Sequence, residues 1–147
     1  MAAKLMQHAL AALGEPYNQI EVISAGISAL PNQHPTQHSV EALRHVHLDI
    51  SRHRSQMLTQ DMLDRAFAVF VMTDSHLDLI EMSFNRIPKN IFRMRDFIPN
   101  TNDKDIPDPF GESYETYVAC RDSMVEALPS LVKYVQTNFP IQELTQS

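Results

Sequence analysis

Residues 66–72 read AFAVFVM, a run in which nearly every side chain is apolar. A strand exposed on one face alternates apolar with polar residues. A run without alternation fits a strand covered on both faces, as strands of parallel sheets are. Parallel strands need crossover connections, and the flanking sequence supplies them. IEVISAG (20–26) is a β-branched run closed by glycine, and NIFRM (90–94) reads as a third strand. Ala2, Met6, Ala9, Leu10 and Leu13 mark a helix over about residues 1–13, ended by Gly14. Val40, Leu43 and Val46 suggest a short helix, and Thr59 suits the N-cap of QDMLDR. A further helix starts near Ser75 with Leu77 and Ile80 inward. From Ser113 onward, Tyr117, Met124, Leu128 and Leu131 trace a long helix that Pro129 is expected to kink or split. Strands alternating with helices predict an α/β fold, a parallel sheet flanked by helices.

The 147 residues suffice for one domain with one core, here read as residues 1–147, and are too few for two. A net charge of −6 and the lack of any Lys/Arg cluster exclude a phosphate-backbone binder, so no nucleic-acid partner is expected. The longest apolar run is far shorter than the roughly 20 residues that span a bilayer, so no membrane partner is expected either. Cys120 is the only cysteine, which rules out an internal disulfide and fits a reducing, cytoplasmic setting.

Ligands of parallel sheets bind outside the carboxyl ends of the strands. That rule gathers Ser24–Gly26, Met72–Asp74 and the loop from Met94 to Asp108 on one rim. Within that loop, DIPDPFGES holds Asp108 between Pro107 and Pro109. The prolines keep the acid extended. Two readings stand at this point: a stiff turn leading into the helix from Ser113, or an acid aimed at a substrate. Asp105 better suits the turn. The seven histidines include no helical H-x-x-x-H pair, because Pro35 interrupts His34 and His38, so no metal site is expected. His53, after a turn near the rim, reads as either a surface histidine or a functional one. Cys120 lies mid-helix and reads as packing, with Arg121 pointing elsewhere.

Taken in order, the S-A-G after the first strand, LDISRHRSQML, the apolar strand ending in Met72 and D-P-F-G resemble the low-molecular-weight protein phosphatases. The resemblance runs from residue 1 to about 135. It implies a cysteine-dependent hydrolase that removes phosphate from tyrosine or arginine side chains of protein substrates, without cofactor or metal. It makes Asp108 the general acid and Phe110 a wall of the substrate cleft. It also makes His53 and Ser24 braces of the phosphate loop. VMT followed by D-P-F-G is similar to the bacterial branch that includes arginine phosphatases.

In that family the nucleophile sits in C-x-x-x-x-x-R-S after a first strand, where loop N–H groups and the arginine hold the phosphate oxygens. This sequence opens MAAKLM, at the position of the helix that follows that loop. Strand, nucleophile and phosphate-binding arginine are therefore expected to be missing, and the chain as written to be inactive. An internal methionine taken as the start is the favoured account. A natural pseudophosphatase acting as a protein-interaction module, and completion in trans by a partner, are the alternatives. The family's first strand lies between the strands matching 20–26 and 66–72. Either those two strands are expected to close up and pair, or a second copy to supply the contacts in a homodimer, which is favoured.

Overall fold

The computed structural model describes residues 1–140. Helix α1 (Ala2–Ala12) turns Leu5, Met6 and Leu10 into the interior, and Gly14 ends it at φ +75°, which only glycine adopts without strain. A single 3-10 turn (Tyr17–Gln19) follows. Four further helices come next: α2 (Gln37–Arg44), α3 (Gln60–Arg65), α4 (Asp74–Ser83) and α5 (Tyr114–Asn138). Each of these four starts on a hydroxyl cap. Thr36, Thr59, Thr73 and Ser113 accept the N–H of Ser39, Met62, His76 and Thr116 respectively, satisfying amides the helix itself leaves unpaired. The Thr73 cap starts α4 one residue before the Ser75 that the sequence suggests.

Strands β1 (Val69–Val71) and β2 (Ile91–Arg93) pair in parallel, Val69 opposite Ile91 and Val71 opposite Arg93. The alternation of the strand divides its side chains between two cores. Phe70 and Met72 face the larger core, where α1, α2 and α5 meet around Leu10, Leu43, Ala127 and Leu131. Val69 and Val71 face a smaller one with Leu63 of α3 and Ile80 of α4. Each fully buried aliphatic side chain stabilises the fold by about 1.5–3 kcal/mol. An aromatic cluster seals the sheet against α5, with Tyr134 stacked on Phe97 at 4.8 Å between centroids and edge-on to Phe92 at 5.4 Å.

Three sequence expectations need correction. The segment 20–26 is extended, but it forms no ladder. Only Gly26 bridges, in parallel, to Met57, through the Gly26 N–H to Gln56 O and the Leu58 N–H to Gly26 O, both at 2.9 Å. The side chain of Gln7 explains the rest: its amide donates to Ile20 O at 3.3 Å and accepts the Val22 N–H at 3.2 Å. A helix side chain thus stands where a neighbouring strand would. For the same reason residues 20–25 do not close onto 66–72; among the described residues β1 pairs with β2 alone. The run 66–72 is correspondingly less covered than its composition suggests, with Val71 buried and Val69 and Phe70 half-buried. Finally, Pro129 does not split α5. Pro129 is on the exposed face, where the carbonyl left without a helix donor is open to water.

Candidate functional site at the carboxyl rim

The loop after β2 is built around three cations. Arg95, only 3% exposed, donates to the carbonyls of Asp103 at 2.8 Å and Ser123 at 3.0 Å and pairs with Glu126 at 3.3 Å, fixing the loop to α5. Lys104 donates to the carbonyls of Asp96 and Ile98. Arg93 pairs with Asp96 at 2.9 Å and with Asp105 at 3.3 Å. A buried arginine is tolerated only when its donors are satisfied, and these are. No sequence signal marked Arg93 or Arg95, because a lone arginine beside a strand reads as surface.

The chain then reaches the rim. Ile106 is buried, and its N–H donates to Met72 O, at the carboxyl end of β1, at 2.8 Å. Pro109 is buried as well, whereas Asp108 between them is exposed and Phe110 is 73% exposed. Asp108 Oδ1 accepts the Phe110 N–H at 3.0 Å, and Gly111 turns the chain at φ +82° into the Ser113 cap of α5. The acid and the aromatic ring therefore stand out together from a buried stem.

Ser24 and His53 meet elsewhere on the same side. They line a groove of about 360 Å³ with Ala3, Val22, Arg54 and Gln56. Ser24 O accepts from Gln56 Nε2 at 2.9 Å. The His53 turn is held by its own N–H to Ile50 O at 2.9 Å and by Asp49 Oδ1, which accepts the Ser51 N–H at 2.8 Å. Desolvation in the groove, then the ammonium of Met1 and the charge of Arg54, hold the His53 imidazole below its ordinary pKa.

Asp108 and Phe110 do not line that groove, but Cys120 links the two halves electrostatically. The thiol is 7% exposed in α5. Burial pushes it up, the Met1 ammonium pulls it down and Asp108 pushes it up again. Ala3, at the start of α1, lines the His53 groove. Arg121 donates to Ala42 O at 2.7 Å and pairs with Asp122, leaving the thiol without a cationic partner on its own helix. Of the other histidines, His38 is exposed but lies against Tyr114 and Tyr117 at 5.9 and 5.4 Å. Among the described residues no three His, Cys, Asp or Glu side chains converge to hold a metal ion, and no helix is long and apolar enough to cross a membrane.

The arrangement defines an α/β protein with a parallel sheet flanked by helices, its Asp108 loop bonded at Ile106 to the carboxyl end of β1. The sequence model for the low molecular weight phosphotyrosine protein phosphatases matches residues 1–141, and the chain belongs to that family. It is 34% identical over 117 residues to the protein-arginine-phosphatase of Bacillus subtilis (strain 168), covering 80% of this chain and 77% of that one. It is 33% identical over 118 residues to the protein-arginine-phosphatase of Geobacillus stearothermophilus, covering 80% and 78%. The fold superimposes on a YwlE arginine phosphatase mutant with a phosphorylated active-site serine at a TM-score of 0.85, with 31% identity over 95% of this chain and 89% of that one. A low molecular weight protein tyrosine phosphatase from T. tengcongensis gives 0.80 at 25% identity, covering 90% and 88%.

Proposed function

We propose that this phosphatase acts on phosphorylated arginine or tyrosine side chains of proteins, and that Asp108 is its general acid. The carrying observation is the Asp108 loop: an exposed carboxylate beside an exposed aromatic ring, on a stem buried at Ile106 and Pro109. A cysteine thiolate attacks phosphorus and the P–N or P–O bond breaks. Asp108 gives its proton to the departing guanidine nitrogen or phenol oxygen. Water then attacks the phosphocysteine, Asp108 takes the proton of that water, and phosphate leaves with the thiolate restored. Phe110 flanks the side chain being dephosphorylated, and His53 and Ser24 brace the phosphate-binding loop. The two relatives named protein-arginine-phosphatase align over 80% of this chain and those named tyrosine phosphatase over 62%, which makes phosphoarginine the first substrate to test.

Cys120 is the sole cysteine of these 147 residues, and it is buried with its thiol pushed up. A nucleophilic thiolate wants exposure and a lowered pKa. The 147-residue polypeptide is therefore expected not to turn over p-nitrophenyl phosphate or a phosphoarginine peptide. Turnover that survives Cys120→Ser and tracks protein purity would sink this expectation. Joining a relative's first strand and phosphate loop ahead of Met1 should supply turnover. In that chain Asp108→Asn should cost about 10²–10⁴-fold, least with a good leaving group. An unchanged rate would remove Asp108 from the acid role. A second copy of the chain is proposed as its partner in solution.

A further inference from the structure

The tip that carries Asp108 and Phe110 makes only local hydrogen bonds, although Pro109 between them is buried. Pro107 and Pro109 have no N–H, the Phe110 N–H is turned back on Asp108, and the Glu112 N–H bonds Pro109 O at 2.9 Å. These bonds are local, so what aims the tip is the residue pair just before it.

There Asp105 does two things with one oxygen. Its Oδ1 accepts the N–H of Asp74, the first residue of α4, at 3.1 Å, and Arg93 Nη1, at the end of β2, at 3.3 Å. The first contact places a negative charge at a helix N-terminus, where the amide is otherwise unpaired. The second is a charge-assisted bond from a guanidinium already immobilised: Arg93 Nε donates to Asp96 Oδ1 at 2.9 Å, and the Arg93 backbone N–H to Asp96 Oδ2 at 2.7 Å. With Ile106 bonded to Met72 O, two consecutive residues are tied to β1, β2 and α4.

We propose that Arg93 and Asp105 are positioning residues, a latch that sets where the Asp108–Phe110 tip stands over the rim. The proposal rests on Asp108 being the acid. The latch itself touches no substrate. Arg93 is 25% and Asp105 47% exposed at the side chain, so water screens the pair and its weight in global stability is small. Its effect is local: without it, the approach to the tip loosens between Ile106 and the buried Pro109, and the aim of Asp108 and Phe110 shifts.

The test reads loop order directly on the 147-residue chain, by amide hydrogen exchange and by the fluorine resonance of 4-fluorophenylalanine placed at position 110. Asp105→Ala and Arg93→Met should each raise exchange at Ile106, Phe110 and Glu112, whose amides are hydrogen-bonded, by about tenfold. Both should move the fluorine signal toward its position in the urea-unfolded chain. Amides of Met124, Ala127 and Leu131 in α5 should stay as protected as before. Asp105→Asn keeps an acceptor for Asp74 and should restore most of the fluorine shift. An unaltered tip, or exchange rising equally through α5, would overturn the latch and leave Asp105 a plain surface or stability residue. No catalysis enters this readout. If the latch result holds while Asp108→Asn leaves turnover intact, the acid assignment fails and the latch stands.

Discussion

Asp108 and His53 were legible as candidates, because proline framing and a position after a turn are local signals. Their electrostatic setting was not. The depressed His53 pKa comes from the groove that desolvates it, then from the Met1 ammonium and Arg54, and it carries a signed consequence for stability. With the folded value below the ordinary one of about 6.5, the unfolded chain binds more protons between the two. Stability there rises with pH. The His53 contribution is fully present above the unfolded value and is lost as pH falls through the folded one. Thermal unfolding should thus shift to lower temperature as pH falls below about 6.5, and His53→Gln should flatten that slope. An equal slope in both proteins would mean that His53 is solvated like any surface histidine. Asp105 was read as serving the turn, whereas its bonds reach outside it, to Asp74 and Arg93; Arg93 and Arg95 escaped notice because their partners lie 12 and 31 residues away at the farthest.

Elements were legible where their signals are short-ranged. Thr59 and Ser113 cap α3 and α5 as their residue types imply, since a cap acts over three residues. The segment 20–26 was not legible in the same way. A β-branched run specifies extended backbone, but a ladder needs a neighbour, and here the neighbour is Gln7, on a helix 13 to 15 residues away. Gln7 lay outside the apolar periodicity from which α1 was recognised. Its amide satisfies one carbonyl and one N–H of that segment, so Gln7→Ala should destabilise the domain by about 1–2 kcal/mol. Urea unfolding measures the loss, and hydrogen exchange at Val22 should rise with it. Gln7→Glu keeps the acceptor for Val22 but faces Ile20 O without a donor, and should fall between the two. Full stability in Gln7→Ala would show that the 3-10 turn and the Gly26–Met57 bridge hold the segment unaided. Gly26 itself has no room to change: a Cβ there would come within 2.6 Å of Ala29 Cβ.

At the scale of the whole molecule, one sheet edge organises the remaining physics. In a parallel pair each strand turns alternate peptide groups toward its neighbour, so β1 bonds β2 with half of its groups and points the rest the other way. Among the described residues no strand meets that second edge, and the half-burial of Val69 and Phe70 follows. Direct closure by residues 20–25 would satisfy the edge, but Gln7 already holds them. Helix α1 would have to release that segment first, at the cost of two hydrogen bonds. An unpaired strand edge flanked by apolar side chains is a template for another chain. The second copy proposed above can supply a strand without disturbing α1. Sedimentation velocity at micromolar concentration should therefore show a dimer that dissociates on dilution. A monomer at all concentrations, with Phe70 amide exchange as slow as that of the α5 core, would show that the edge is closed within one chain and remove the dimer from consideration.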